Sequence, residues 1–171
     1  MKLRGVLTLA ACGALGAALA TPSYAQMKEL TGTWVLNHQK STGPLDKYED
    51  IVWDVKDDGT ENYVNHITAD NGKKARAEYS AKLDCKEYPE KHEDGSVTYI
   101  VLTQLFPRTE EAKLYKHDAS GQSVMTGRFF RVLSHDGKEL YDTLCKADGS
   151  LLGFRVFDKR ASKSAEAAKA Q

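Results

Sequence analysis

Six times along this chain an Asp, Asn or Ser is followed directly by glycine: Asp58-Gly59, Asn71-Gly72, Asp94-Gly95, Ser120-Gly121, Asp136-Gly137 and Asp148-Gly149. Such dipeptides supply the positive-φ residue that a tight hairpin turn requires, so each marks a reversal of the chain. Between them lie segments rich in Val, Ile, Thr, Tyr and Phe, residues that suit a pleated, half-buried surface. The spacing predicts strands over 31–38, 47–56, 61–69, 75–84, 96–105, 110–117, 122–133, 138–146 and 151–159. Alternation supports them. Ile51, Trp53 and Val55 share one face and Asp54 and Lys56 the other, while Ala77, Tyr79, Ala81 and Leu83 oppose Glu78, Ser80, Lys82 and Asp84. Val97–Leu102 and Val124–Leu133 are apolar on both faces, as expected of central strands or of strands lying beneath a loop. The expectation is an all-β protein, a single antiparallel barrel or curled sandwich of about nine strands, since both forms limit exposed edges.

The two ends read differently. Lys2 and Arg4 precede an uncharged run from Gly5 to Ala20, then Thr21-Pro22 and the small residues of Ser23-Tyr24-Ala25. That order is the pattern of a secretory signal peptide cut after Ala25, which predicts a periplasmic or secreted protein. A membrane anchor would need about 20 consecutive apolar residues, more than this run supplies. Lipidation at Cys12 would leave too short an apolar stretch before it. The remaining residues are enough for one domain, expected over 26–160, followed by a flexible tail of Ala, Lys, Ser and Glu over 161–171. The 24 basic and 24 acidic residues balance, which argues against nucleic acid as a partner.

Gly32-Thr33-Trp34-Val35-Leu36-Asn37, with Lys40-Ser41 after it, resembles the first strand of a family of small secreted bacterial proteins described as lipocalin-like. Ala81-Lys82-Leu83-Asp84-Cys85-Lys86-Glu87-Tyr88-Pro89 is similar to that family's Ala-Lys-x-Asp-Gly-Lys-Asp-Tyr-Pro segment. Ser134-His135-Asp136-Gly137-Lys138 is similar to its Ser-Lys-Asp-Gly-Lys turn, and Val156-Phe157-Asp158-Lys159-Arg160 to its closing run. The resemblance implies a lipocalin-like fold with Trp34 plugging one end of the barrel, and no particular biochemical role. The chain departs from it at Cys85, where the family has Gly, and at Glu90-Lys91-His92-Glu93-Asp94. Cys85 and Cys145 are the only cysteines after residue 25, and in an oxidising compartment such a pair is expected to form a disulfide, two buried thiols being the alternative. A turn glycine replaced by cysteine adds weight to the bridge.

Motifs that would fix a chemistry are few. His38, His66, His92, His117 and His135 are scattered without metal-ligand spacing, so no metal and no cofactor is expected. There is no Gly-x-Ser-x-Gly nucleophile and no phosphate-binding loop. What remains is polar side chains within apolar strands, which a barrel interior could gather. The expected function is binding of a small apolar or aromatic acid, with Trp53, Tyr79 and Tyr99 as walls and Arg128 pairing the acid group. The alternative is a cofactor-independent lyase, decarboxylase or isomerase in the same cavity, with His66 or Tyr141 passing a proton. Residues 122–133 leave open whether Arg128 faces the interior, where it would need a carboxylate or an anionic ligand, or solvent.

Overall fold

The computed structural model describes residues 27–161, so the signal peptide expected over 1–25 and nearly all of the expected tail lie outside it. A short 3₁₀ turn, Lys28–Leu30, leads into ten strands. The first five are β1 (Gly32–Leu36), β2 (Tyr48–Val55), β3 (Thr60–Thr68), β4 (Lys74–Lys82) and β5 (Glu87–His92). The second five are β6 (Val97–Phe106), β7 (Thr109–His117), β8 (Ser123–Leu133), β9 (Glu139–Lys146) and β10 (Leu151–Lys159). Each pairs antiparallel with its neighbours in sequence, and β10 returns to β1, closing the sheet into an up-and-down barrel. Nine strands were expected, and β5 is the additional one.

The turns share one construction. In each of the six polar-Gly turns the glycine has φ between 68° and 86° and donates its N–H to the carbonyl three residues back, as from Gly72 to Ala69 at 2.9 Å. An Asp or Asn side chain in each caps the backbone N–H two residues on, as Asp148 does for Ser150 at 2.9 Å. In the remaining two hairpin turns the positive-φ position is occupied by Cys85 (φ 61°) and Arg108 (φ 62°). Only the connection from β1 to β2 is long, and it is laid across β10 by reciprocal backbone bonds between Thr42 and Phe154 at 2.7 and 2.9 Å.

One end of the barrel is plugged. Trp34 and Phe157 are fully buried there among Met27, Leu30, Leu102 and Leu140. The Trp34 indole donates to the Leu30 carbonyl at 2.7 Å, tying the 3₁₀ turn over the opening. The interior file of each strand follows the two-residue period: Ile51, Trp53 and Val55 on β2, Tyr79 and Ala81 on β4, Ile100 and Leu102 on β6. A barrel of eight strands is largely filled by its own side chains; ten strands give a wider interior, and toward the far end it is not filled.

The cysteine expectation is corrected here. Cys85 and Cys145 are free thiols. Cys85 lies in the β4–β5 turn at the plugged end, and Cys145 near the end of β9 that approaches the open end, so the fold holds them apart. Cys85 is exposed and contacts the Thr103 hydroxyl at 3.4 Å.

Candidate functional site

At the unplugged end the barrel holds a cavity of about 470 Å³, within the usual size of a small-molecule site. Its wall is largely apolar, made by Ile67, Ala77, Ile100, Leu114, Phe129 and the ring of Tyr63. Lys73, Lys74 and Arg76 from the β3–β4 hairpin and Glu93 and Asp94 from the β5–β6 turn surround the mouth. On the β5 side a polar relay runs along the wall, with the Thr98 hydroxyl donating to Glu90 at 2.7 Å and meeting the His92 ring at 2.8 Å.

The floor is charged. Register places Glu110 of β7, Arg131 of β8, Asp142 of β9 and Arg155 of β10 directly opposite one another on successive strands, all on the interior face. Signs alternate along this row. Arg131 Nη1 donates to Glu110 Oε1 at 2.9 Å and to the Tyr79 hydroxyl at 3.1 Å. Arg155 Nη1 donates to Glu49 of β2 at 3.1 Å, and Asn65 donates to the same carboxylate oxygen at 2.9 Å. Each arginine is therefore hydrogen-bonded to a carboxylate other than Asp142. Asp142 Oδ1, Arg131 Nε and Arg155 Nε are buried with no hydrogen-bond partner among the described residues.

Burial governs the protonation of these groups. It pushes the Asp142 carboxyl up to about 7 against the pull of Arg131 and Arg155. It raises Glu49 as well, with Arg155 and Asn65 opposing. Glu61, fully buried beside Glu110, is pushed up by burial and by its neighbour's negative charge, with Arg131 and the Trp53 indole opposing. The Arg131 guanidinium is enclosed by aromatic faces, with Trp53 at 5.0 Å, Tyr63 at 5.2 Å and Phe129 at 5.4 Å from its central carbon. Cation–π contact and the Glu110 pair together hold its charge inside the barrel.

The residues singled out from sequence are divided by strand parity. Trp53 and Tyr79 are interior but lie beneath the cavity: the Trp53 indole donates to Glu61 at 3.1 Å, and Tyr79 stacks on Tyr63 at 4.6 Å and accepts from Arg131. They support the floor without lining the cavity. Tyr99 is on the outer face, stacked on His117 at 3.8 Å, because its neighbour Ile100 takes the interior position. Arg128 is also outside, 3.5 Å from Glu111, since Phe129, Arg131 and Leu133 form the interior file of β8. His66 faces outward 3.5 Å from Asp50, and Tyr141 faces outward with its hydroxyl donating to Glu139 at 2.5 Å. The structure brings none of these last four into the cavity. The residues that do form its floor, Arg131, Asp142, Arg155 and Glu49, each sit two positions from an apolar interior neighbour, a signal carried by period two and not by adjacent residues.

Among the described residues no group of three or more His, Cys, Asp or Glu side chains is placed to hold a metal ion. No described helix is long and apolar enough to cross a membrane. The chain matches no known protein family and no curated protein.

Proposed function

We propose that this barrel binds a small acid with an apolar or aromatic body. The observation that carries the reading is the floor of the cavity, where two guanidiniums flank an unpartnered carboxyl beneath an apolar wall. The apolar body would lie against Phe129, Ile100 and Leu114 and gain from removal of that surface from water. The acid group would reach Arg131 and Arg155, whose Nε donors have no partner among the described residues. Such a protein would act outside the cytoplasm, delivered there by removal of residues 1–25, which amino-terminal mass mapping of a periplasmic fraction checks.

Titration with a panel of aromatic acids, followed by the fluorescence of Trp53 beside Arg131, tests the binding. Arg155→Gln keeps a hydrogen-bonding group near Glu49 but removes the charge, and should weaken a bound acid by about 1.5–3 kcal/mol, the worth of a hydrogen bond to a charged group. Equal affinity in the variant would remove Arg155 from the site. Recovery of the acid unchanged after incubation fits a binder, whereas conversion without added cofactor would assign the cavity to a lyase, decarboxylase or isomerase.

A further inference from the structure

We propose that Asp142 recognises the ligand's carboxylate through its own proton, so that the cavity takes up an acid anion together with one hydrogen ion. This rests on the binding reading above and adds to it the residue that makes the contact and the proton that accompanies it.

The row Glu110, Arg131, Asp142, Arg155 has a break at its centre. A buried aspartate between two arginines in register would ordinarily pair with one of them; here both guanidiniums are taken by Glu110 and Glu49, and Asp142 Oδ1 has no partner among the described residues. An anion placed over Asp142 meets positive charge on both sides. It also meets a carboxyl, and two carboxylates in one buried site cannot both stay ionised at low cost. The arrangement is relieved when Asp142 is protonated, because its O–H then donates to the incoming carboxylate while the arginines supply N–H donors. No bond is broken; the proton comes from solvent and stays on Asp142.

The groups around the cavity agree with this. Charged or titratable neighbours are Arg131 of β8, Arg155 of β10, Glu110 of β7, Glu49 of β2, Tyr63 of β3 and Glu90 and His92 of β5, with Lys73, Lys74 and Arg76 and the acidic Glu93 and Asp94 at the mouth. β6 brings only apolar Ile100 to the wall beside the Thr98 hydroxyl. The positive neighbours act on Asp142 more strongly than the negative ones, and burial is what keeps its proton, up to about 7. Protonation at neutral pH is therefore within easy reach, and an anion replaces the charge that the site's arginines favour.

The test uses cinnamate, cinnamyl alcohol and cinnamylamine, which share one apolar body, in calorimetric titrations of the full protein. Each is run in two buffers of different ionisation enthalpy, from about pH 6 to about pH 8.5. Cinnamate should bind with uptake of close to one proton at the alkaline end, its affinity falling about tenfold per pH unit above about 7. In Asp142→Asn, an isosteric donor whose folding is checked by its thermal transition, cinnamate should bind without proton uptake and without that slope. Binding of cinnamate by the natural protein with no proton uptake would overturn the proposal, as would a pH slope retained in the variant. Cinnamylamine binding more tightly than cinnamate at about pH 6, where Asp142 holds its proton and the arginines favour an anion, would equally overturn it. If the alcohol binds and cinnamate does not, an apolar cavity stands but the acid reading and the role of Asp142 both fall; if none of the three binds, the cavity reading falls with them.

Discussion

Asp142 shows how a single side chain couples the interior of this barrel to pH. Its carboxyl moves from 3.8 in the open chain to about 7 in the folded protein, so between those values the folded state holds a proton that the unfolded state has lost. Stability therefore declines as pH rises through that window and levels off above it. Asp142→Asn lacks this contribution, and relative to the natural protein it should gain up to roughly 4 kcal/mol of unfolding free energy between about pH 4 and about pH 7.5, at about 1.36 kcal/mol per unit. Urea unfolding of both proteins across that range measures it; parallel curves would mean that Asp142 is ionised in the fold. Neither Asp142 nor Arg131 stood out in the sequence. In β8 the candidate was Arg128, among Thr126 and Phe130, although the interior file is Phe129, Arg131, Leu133. Parity along a strand, and not the company of adjacent residues, decides what a barrel encloses.

Among the elements, those bounded by a polar residue and glycine were the legible ones. Six turns carry that dipeptide, and each supplies a positive φ where the chain reverses. β5 escaped because Glu87–His92 carries Glu87, Glu90 and Lys91 with Pro89 in its middle, a pattern that does not read as a strand. It is held in place by β6 along most of its length and meets β4 only where Ala77–Tyr79 oppose Glu90–His92. The turn that precedes β5 is the one whose positive-φ position is filled by Cys85. Cysteine carries the steric penalty of the left-handed region, which glycine does not, and no disulfide forms there to offset it. Cys85→Gly should therefore stabilise the protein by about 1 kcal/mol, read as an increase in the denaturation midpoint with unchanged slope. A loss of stability would mean that the Thr103 contact outweighs the backbone strain.

At the scale of the whole molecule the closed architecture followed from the number of short strands and the need to hide edges, whereas the cavity did not. Its existence depends on ten strands and on side-chain volumes meeting across the barrel, which no single segment specifies. The join that completes the ring is β1 with β10, where Trp34 lies opposite Lys159 and Leu36 opposite Phe157. A chain ending after Lys146 would leave the unpaired edges of β1 and β9 facing each other across a gap, and such edges pair with other molecules. Expression of residues 1–146 should accordingly yield oligomers or aggregate in size-exclusion chromatography, and a soluble monomer would show that nine strands can close alone. The same join sets an order of events. Every other pairing links strands adjacent in sequence and can form as they emerge during synthesis, but the last seam waits for residues 151–159. Until then Trp34 has no Phe157 to pack against, and the first strand to be made is the last to find its second partner.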